Sequence, residues 1–173
     1  MRLNYLYTIL LVAFSTGVFA CDCSGYDSIV NAFNSADVVF EGKVLDIDTV
    51  FISDTVNAIT SKNPKAHIEV FAEQFLAVKF SITKLFKGDK QNVTVIVMTP
   101  AAGSACGIQF GPDISYVVYG YSEEFNLVGN GNLNTMQNPE TKTTKISGYS
   151  TNSCTRTKMA KFEISELKSN KLI

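Results

Sequence analysis

Four cysteines constrain this chain more than any other feature, because two of them, Cys21 and Cys23, stand directly behind an apolar leader. Residues 1–20 carry Arg2, an apolar run from Tyr5 to Phe14, and then Val18-Phe19-Ala20. A basic start, a short apolar middle and a small residue before the cut read as a secretory signal. Cleavage after Ala20 makes Cys21 the first residue of the exported chain. In an oxidising compartment an even cysteine count predicts two disulfides. A Cys21–Cys23 bridge would close a tight, strained ring, so each of the two is expected to join a distant partner, Cys106 or Cys154. Either assignment staples the N-terminus to the body of the domain twice. A zinc site of four thiolates fits the wide spacing and the secreted context poorly.

Residues 21–173 leave 153 residues, one domain of ordinary size with room for a proper core. Arg2 is the sole charge of the leader, so this part carries 14 basic and 16 acidic residues, a net of −2. That balance gives no electrostatic reason to expect nucleic acid as a partner. No second apolar run is long enough to span a bilayer. The expectation is a monomer that is secreted or extracellular, or held in a periplasm or at a cell surface if the host is bacterial.

Residues 24–36 read as a helix. Ser24-Gly25-Tyr26-Asp27 resembles a capping box, and Tyr26, Ile29, Val30 and Phe33 fall on one helical face. Asp37–Ile47 reads as a strand with a bulge at Gly42. Residues 48–70, with Asn63-Pro64 in the middle, read as a long connection or hairpin extension. Gln74–Phe86, Asn92–Thr99 and Ser115–Tyr121 are further strands, and Lys87-Gly88-Asp89 is a turn. A loop, Pro100–Pro112, holds Cys106. Phe125–Val128 is a short closing strand, and residues 129–148, rich in Asn, Gly and Thr, read as loop. Met159, Phe162, Ile164 and Leu167 predict a terminal amphipathic helix. The expected class is mainly β: a five-stranded Greek-key barrel with a helix packed at each end.

Taken together, these residues resemble the tissue inhibitors of metalloproteinases and, more widely, the netrin-like module. The resemblance rests on Cys21-Asp22-Cys23, on Asn34-Ser35-Ala36-Asp37-Val38-Val39-Phe40-Glu41-Gly42-Lys43-Val44, on Ala105-Cys106-Gly107 ahead of Tyr116-Val117-Val118-Tyr119-Gly120-Tyr121, and on Asn152-Ser153-Cys154-Thr155-Arg156-Thr157. It implies residues 21–173 as a single netrin-like inhibitor domain of OB-fold type, with pairings Cys21–Cys106 and Cys23–Cys154. It further implies that the chain is no enzyme and has no cofactor of its own. Its partners would be extracellular zinc metalloproteases, whose catalytic zinc is taken by the amine and carbonyl of Cys21. Asp22, Cys23, Ser24, Ala105, Cys106 and Gly107 would flank that contact. Two departures stand out. The third disulfide and the second domain of the vertebrate inhibitors are missing, and Asp22 is charged where the family has a small, uncharged residue.

A free α-amine titrates near ~7.7–8.0 and is partly neutral around pH 7, so it can ligate zinc. A catalytic protease zinc has one position held by water. Ordering a floppy tail costs roughly 1–2 kcal/mol per residue, and two disulfides would remove that cost. Competing readings are weaker. Val18-Phe19-Ala20-Cys21 partly resembles a lipoprotein cleavage site, but Phe19 is bulky for one. A netrin-like binding module without inhibition, with or without a lipid anchor, is the alternative function. Cys-Asp-Cys as a thiol–disulfide site would need a low-pKa thiol at a helix N-terminus and would leave Cys106 to pair with Cys154. His67, beside Glu69, reads as a solvated loop residue. Asn92-Val93-Thr94 matches a glycosylation acceptor. Lys84, Lys87 and Lys90 read as a solvated turn, and Tyr116, Tyr119 and Tyr121 as barrel wall.

Overall fold

The computed structural model describes residues 28–56, 69–89, 93–101, 106–128 and 143–173. Its first helix, α1, spans Ile29–Ser35, and Ser28 caps it by accepting the Asn31 amide at 3.1 Å. The cap therefore lies at Ser28; the capping box expected at Ser24–Asp27 falls outside the described residues. Ile29 and Ala32 are buried while Val30 is exposed, so the inward stripe runs Ile29, Ala32, Ala36 rather than through Val30. At the other end, Lys87 Nζ donates to the Phe33 and Asn34 carbonyls at 3.0 and 2.7 Å. A cation at a helix C-terminus satisfies carbonyls that have no intrahelical partner.

The strands are β1 Val38–Val56, β2 Glu69–Lys87, β3 Thr94–Pro100, β4 Ser115–Val128, β5 Thr143–Ser150 and β6 Lys158–Met159, followed by the helix α2, Ala160–Ser169. They form one sheet in the order β1-β2-β3-β5-β4-β6, and β1 also meets β4. Among the described residues, five strands thus close into a ring. β1 and β2 pair antiparallel along their whole length, from Val39 opposite Lys87 to Val56 opposite Glu69. β3 and β5 are parallel and touch only at Val97–Tyr149 and Met98–Ser150. Where β1 meets β4, Val38 faces Gly120 and Lys43 faces Ser115. The numbers fall on one strand as they rise on the other, so the two run in opposite directions there. The other four pairings demand the same sense around a closed ring.

Several expectations are corrected here. Of the two readings of residues 48–70, the hairpin extension holds for 48–56, which form the outer half of β1 paired to the outer half of β2; the connection reading is dropped there. Phe125–Val128 is no separate strand; it continues β4 through Ser122, Glu123 and Glu124, whose backbones pair with Tyr149, Gly148 and Ser147. The closing strand is β5, in a stretch expected to be loop up to residue 148. The bulge expected at Gly42 is present, with register shifts at Glu41/Gly42 and again at Val44/Asp46.

Two apolar layers explain why β1 and β4 are poor period-two patterns. Val38, Phe40, Tyr116 and Val118 point into the ring with Val78, Phe80, Val97 and Phe110. Phe80 packs edge-on against Phe40 and Phe110, with centroids at 5.7 and 5.3 Å. Val39, Val117 and Tyr119 point outward and are covered by Ile29, Ala32, Ala160 and Leu167 of the helices. Both helices therefore lie on one flank, over β1 and β4, not one at each end of the ring. With both faces buried, consecutive residues are all apolar. No helix among the described residues is long and apolar enough to cross a membrane.

Candidate functional site

The described cysteines stand at two chain reversals that meet at one edge of the ring. The first follows β3. Ala101 is buried, the chain returns at Cys106, and the Ile108 amide donates to the buried Thr99 hydroxyl at 3.2 Å. A Cβ at Gly107 would collide with the Pro100 carbonyl oxygen and lie 3.0 Å from that of Ala101. Only glycine permits so close a return. Phe110 then enters the core and fixes the loop's far limb.

The second reversal follows β5. The Thr151 amide donates to the Met98 carbonyl at 2.9 Å, and the Thr151 hydroxyl donates to the Tyr119 carbonyl at 3.1 Å. The hydroxyls of Thr155 and Thr157 lie 2.6 and 2.8 Å from it. Thr157 also accepts the Tyr119 amide at 3.0 Å. The Asn152 side chain accepts the Cys154 amide at 2.9 Å, a local turn that asparagine makes well. The reversals are joined directly: the Ser153 amide donates to the Cys106 carbonyl at 2.8 Å. Cys106 and Cys154 are both disulfide-bonded, and no described cysteine is free.

Behind this edge sits a charged network. Glu163 of α2 is 1% exposed. Its Oε1 accepts the Tyr119 hydroxyl and Arg156 Nε, each at 2.7 Å, while Oε2 has no hydrogen-bond partner among the described residues. Arg156 also pairs with Glu166 and takes a left-handed backbone, φ 68°. Burial, then the hydrogen bond to Glu163, push the Tyr119 phenol well above its ordinary range. Burial draws the Arg156 guanidinium down, but Glu163 and Glu166 outweigh it and hold it above its usual value. Among the described residues no group of three or more His, Cys, Asp or Glu is placed to hold a metal ion.

No protein-family model and no curated protein matches this sequence. The site thus rests on its own geometry. Of the residues expected there, Cys106, Gly107 and Cys154 are brought to one edge. Cys21, Asp22, Cys23, Ser24 and Ala105 lie outside the described residues, as do His67, Lys90 and Asn92. Tyr116 lines the ring interior and Tyr119 lies under α2, so both are wall. The expected inner face of the last helix is corrected. Met159 and Phe162 are exposed, Phe162 at 59%, and the buried face is Ala160, Glu163 and Leu167. The burial of Glu163 is unexpected, since a charged residue on a short helix normally faces water. The one available signal was its i, i+4 spacing from Leu167.

Proposed function

We propose that this chain is a secreted inhibitor of zinc metalloendopeptidases, built on a netrin-like OB-type ring. The observation that carries the reading is the junction of two disulfide-bonded cysteines, Cys106 and Cys154, through the Ser153–Cys106 hydrogen bond. Two half-cystines at neighbouring reversals suit two partners that are two residues apart, as Cys21 and Cys23 are. We assign the pairs as Cys21–Cys106 and Cys23–Cys154. The strand order, with its parallel β3–β5 contact, is the second support, since it is the order an OB-type barrel requires.

With a signal cut after Ala20, the Cys21 amine and carbonyl form a chelating pair on a terminus held from both sides. A protease zinc carries three protein ligands and a displaceable water, and this pair replaces the water. Rigidity is what makes the contact worthwhile, because a preordered tip does not lose conformational entropy on binding. Ser24, Ala105 and Gly107 flank the chelate. Asp22 points toward the protease's specificity pocket, where a carboxylate is costly unless paired. This favours target proteases with a polar or basic pocket over those with an apolar one.

The experiment adds one alanine ahead of Cys21. The change leaves the fold intact but separates the free amine from the Cys21 carbonyl and adds bulk at the metal. Inhibition of a metalloprotease panel should fall by orders of magnitude, each tenfold being about 1.4 kcal/mol. Asp22→Ala should shift the spectrum toward proteases with apolar pockets. Unchanged inhibition by the extended protein would sink the chelate. No inhibition of any protease by the native chain would leave an extracellular binding module.

A further inference from the structure

We propose that the end of the ring beside Gly88 and Asp89 binds a small organic cation, an amine carrying an aromatic or branched-alkyl body. A cavity of about 160 Å³ opens there, walled by Val38, Phe40, Ile82, Leu85, Val95 and Tyr149, with Asp89 at its rim. The cavity is a consequence of the topology. β3 and β5 are paired at two positions only, Val97–Tyr149 and Met98–Ser150, and Val95 precedes that short seam. Among the described residues no ladder seals the wall at this end. Val38 and Phe40 belong to the buried core, while Ile82, Leu85, Val95 and Tyr149 are half-buried and pack against it. The hollow therefore runs from the core to solvent.

Gly88 sets the rim. Its φ is +103°, and a Cβ there would lie 3.1 Å from Val38 Cγ2 and 3.2 Å from the Asp37 carbonyl oxygen. The chain can turn this tightly over Val38 only with glycine, and the turn brings Asp89 to the mouth. Asp89 makes no ion pair among the described residues. Among the described residues, the two nearby lysines, Lys84 and Lys87, are committed elsewhere. Lys87 caps α1, and Lys84 Nζ lies 5.2 Å from the centre of the Phe86 ring. A hollow walled by apolar side chains, with a carboxylate at its mouth that makes no ion pair among the described residues, selects by charge as well as size. A dry cavity of about 150 Å³ accommodates a benzene ring, so a single ring or a short branched chain fits. An anion would meet Asp89 with like charge. A neutral body would desolvate the carboxylate without replacing its hydrogen bonds. An ammonium group beside the ring supplies both. The inference is independent of the inhibitor reading, because this end of the ring contains no part of the cysteine edge.

The test is an NMR titration of the isotope-labelled exported chain with phenethylammonium, 2-phenylethanol and phenylacetate. Phenethylammonium should perturb the amides of Ile82, Leu85, Val95 and Tyr149. It should bind about fivefold more tightly than 2-phenylethanol, the gain of one partly exposed ion pair, and phenylacetate should bind most weakly. Asp89→Asn should bring the cation down to the affinity of the neutral compound, with the fold unchanged. Leu85→Trp fills the hollow and should abolish binding of both; Ile82→Phe serves if that variant does not fold. Equal binding of cation and anion, an unchanged affinity in Asp89→Asn, or shifts confined to other residues would overturn the site.

Discussion

Glu163 combines three features that rarely coexist: it is charged, it is buried, and one of its two oxygens has no partner among the described residues. Its other oxygen holds Tyr119 of β4 and Arg156 of the second reversal at 2.7 Å each, so one atom joins α2, the ring and the cysteine edge. Such a pair does little for net stability when formed, yet removing Glu163 takes away the acceptor of the buried Tyr119 hydroxyl and leaves Arg156 with Glu166 alone. Glu163→Ala should therefore cost about 3–5 kcal/mol in denaturant unfolding. Glu163→Gln keeps an acceptor for Tyr119 and should cost less. A loss below about 1 kcal/mol for the alanine variant would mean that the apolar contacts of Leu167 and Ala160 hold the helix alone. The same contact predicts a pH effect. The folded Tyr119 phenol lies above its unfolded value of 10.0, so its contribution is complete below about pH 10 and declines as pH rises beyond it. Urea midpoints measured from pH 8 to 11 should fall more steeply for the native protein than for Tyr119→Phe. The excess slope is at most about 1.4 kcal/mol per pH unit for a single group.

At the scale of elements, α1 depends on a cation from the ring. Seven residues make a marginal helix on propensity alone, and Lys87 supplies the C-terminal cap from the end of β2. Lys87→Met retains the apolar stem over Phe33 and loses the charge. It should destabilise the protein by roughly 0.3–1 kcal/mol and raise amide exchange in Phe33 to Ala36, read by hydrogen-exchange NMR. That cap could not be read from the chain, because it joins positions more than fifty residues apart. The elements that were legible are those with side-chain patterns of their own. The inner halves of β1 and β2, β3, the first half of β4 and both helices all announce themselves by apolar residues. β5 does not. Its sequence, Thr143 to Ser150, offers only Ile146 and Tyr149 as large apolar residues, and it is held by eight backbone pairings to β4. A strand defined by its ladder leaves no periodicity to find. The strand expected to end at Tyr121 in fact runs on through Glu123 and Glu124, both exposed, into Phe125–Val128. For the candidate site, the cysteine positions were plain from the sequence, whereas the threonine cluster of Thr151, Thr155 and Thr157 emerges only once β5 is seen to end at Ser150.

For the whole molecule, the question is what ties the first residues to the ring. The ring is closed by its own ladders, and its weakest seam is the two-position β3–β5 contact. Cys106 follows β3 and Cys154 follows β5, so the proposed bridges from both to one terminal segment would reinforce that seam from outside. The proposed bridges span 85 positions (106 − 21) and 131 positions (154 − 23), for which the chain-entropy account gives roughly 4.7 kcal/mol each and experiment usually less, about 2–5. In a domain of this size each kcal/mol moves the melting point by about 2–4 °C. The double variants Cys21→Ser/Cys106→Ser and Cys23→Ser/Cys154→Ser each remove one bridge if the proposed pairing holds. Calorimetry should then show both melting roughly 5–15 °C below the native protein, with no free thiol by titration. The crossed variants, Cys21→Ser/Cys154→Ser and Cys23→Ser/Cys106→Ser, break both bridges at once. They should lose about twice as much and expose two thiols. If the crossed variants are instead the milder ones, Cys21 joins Cys154 and Cys23 joins Cys106. The Cys21 amine would then be anchored at the second reversal, beside Asn152 and Arg156, rather than at Gly107.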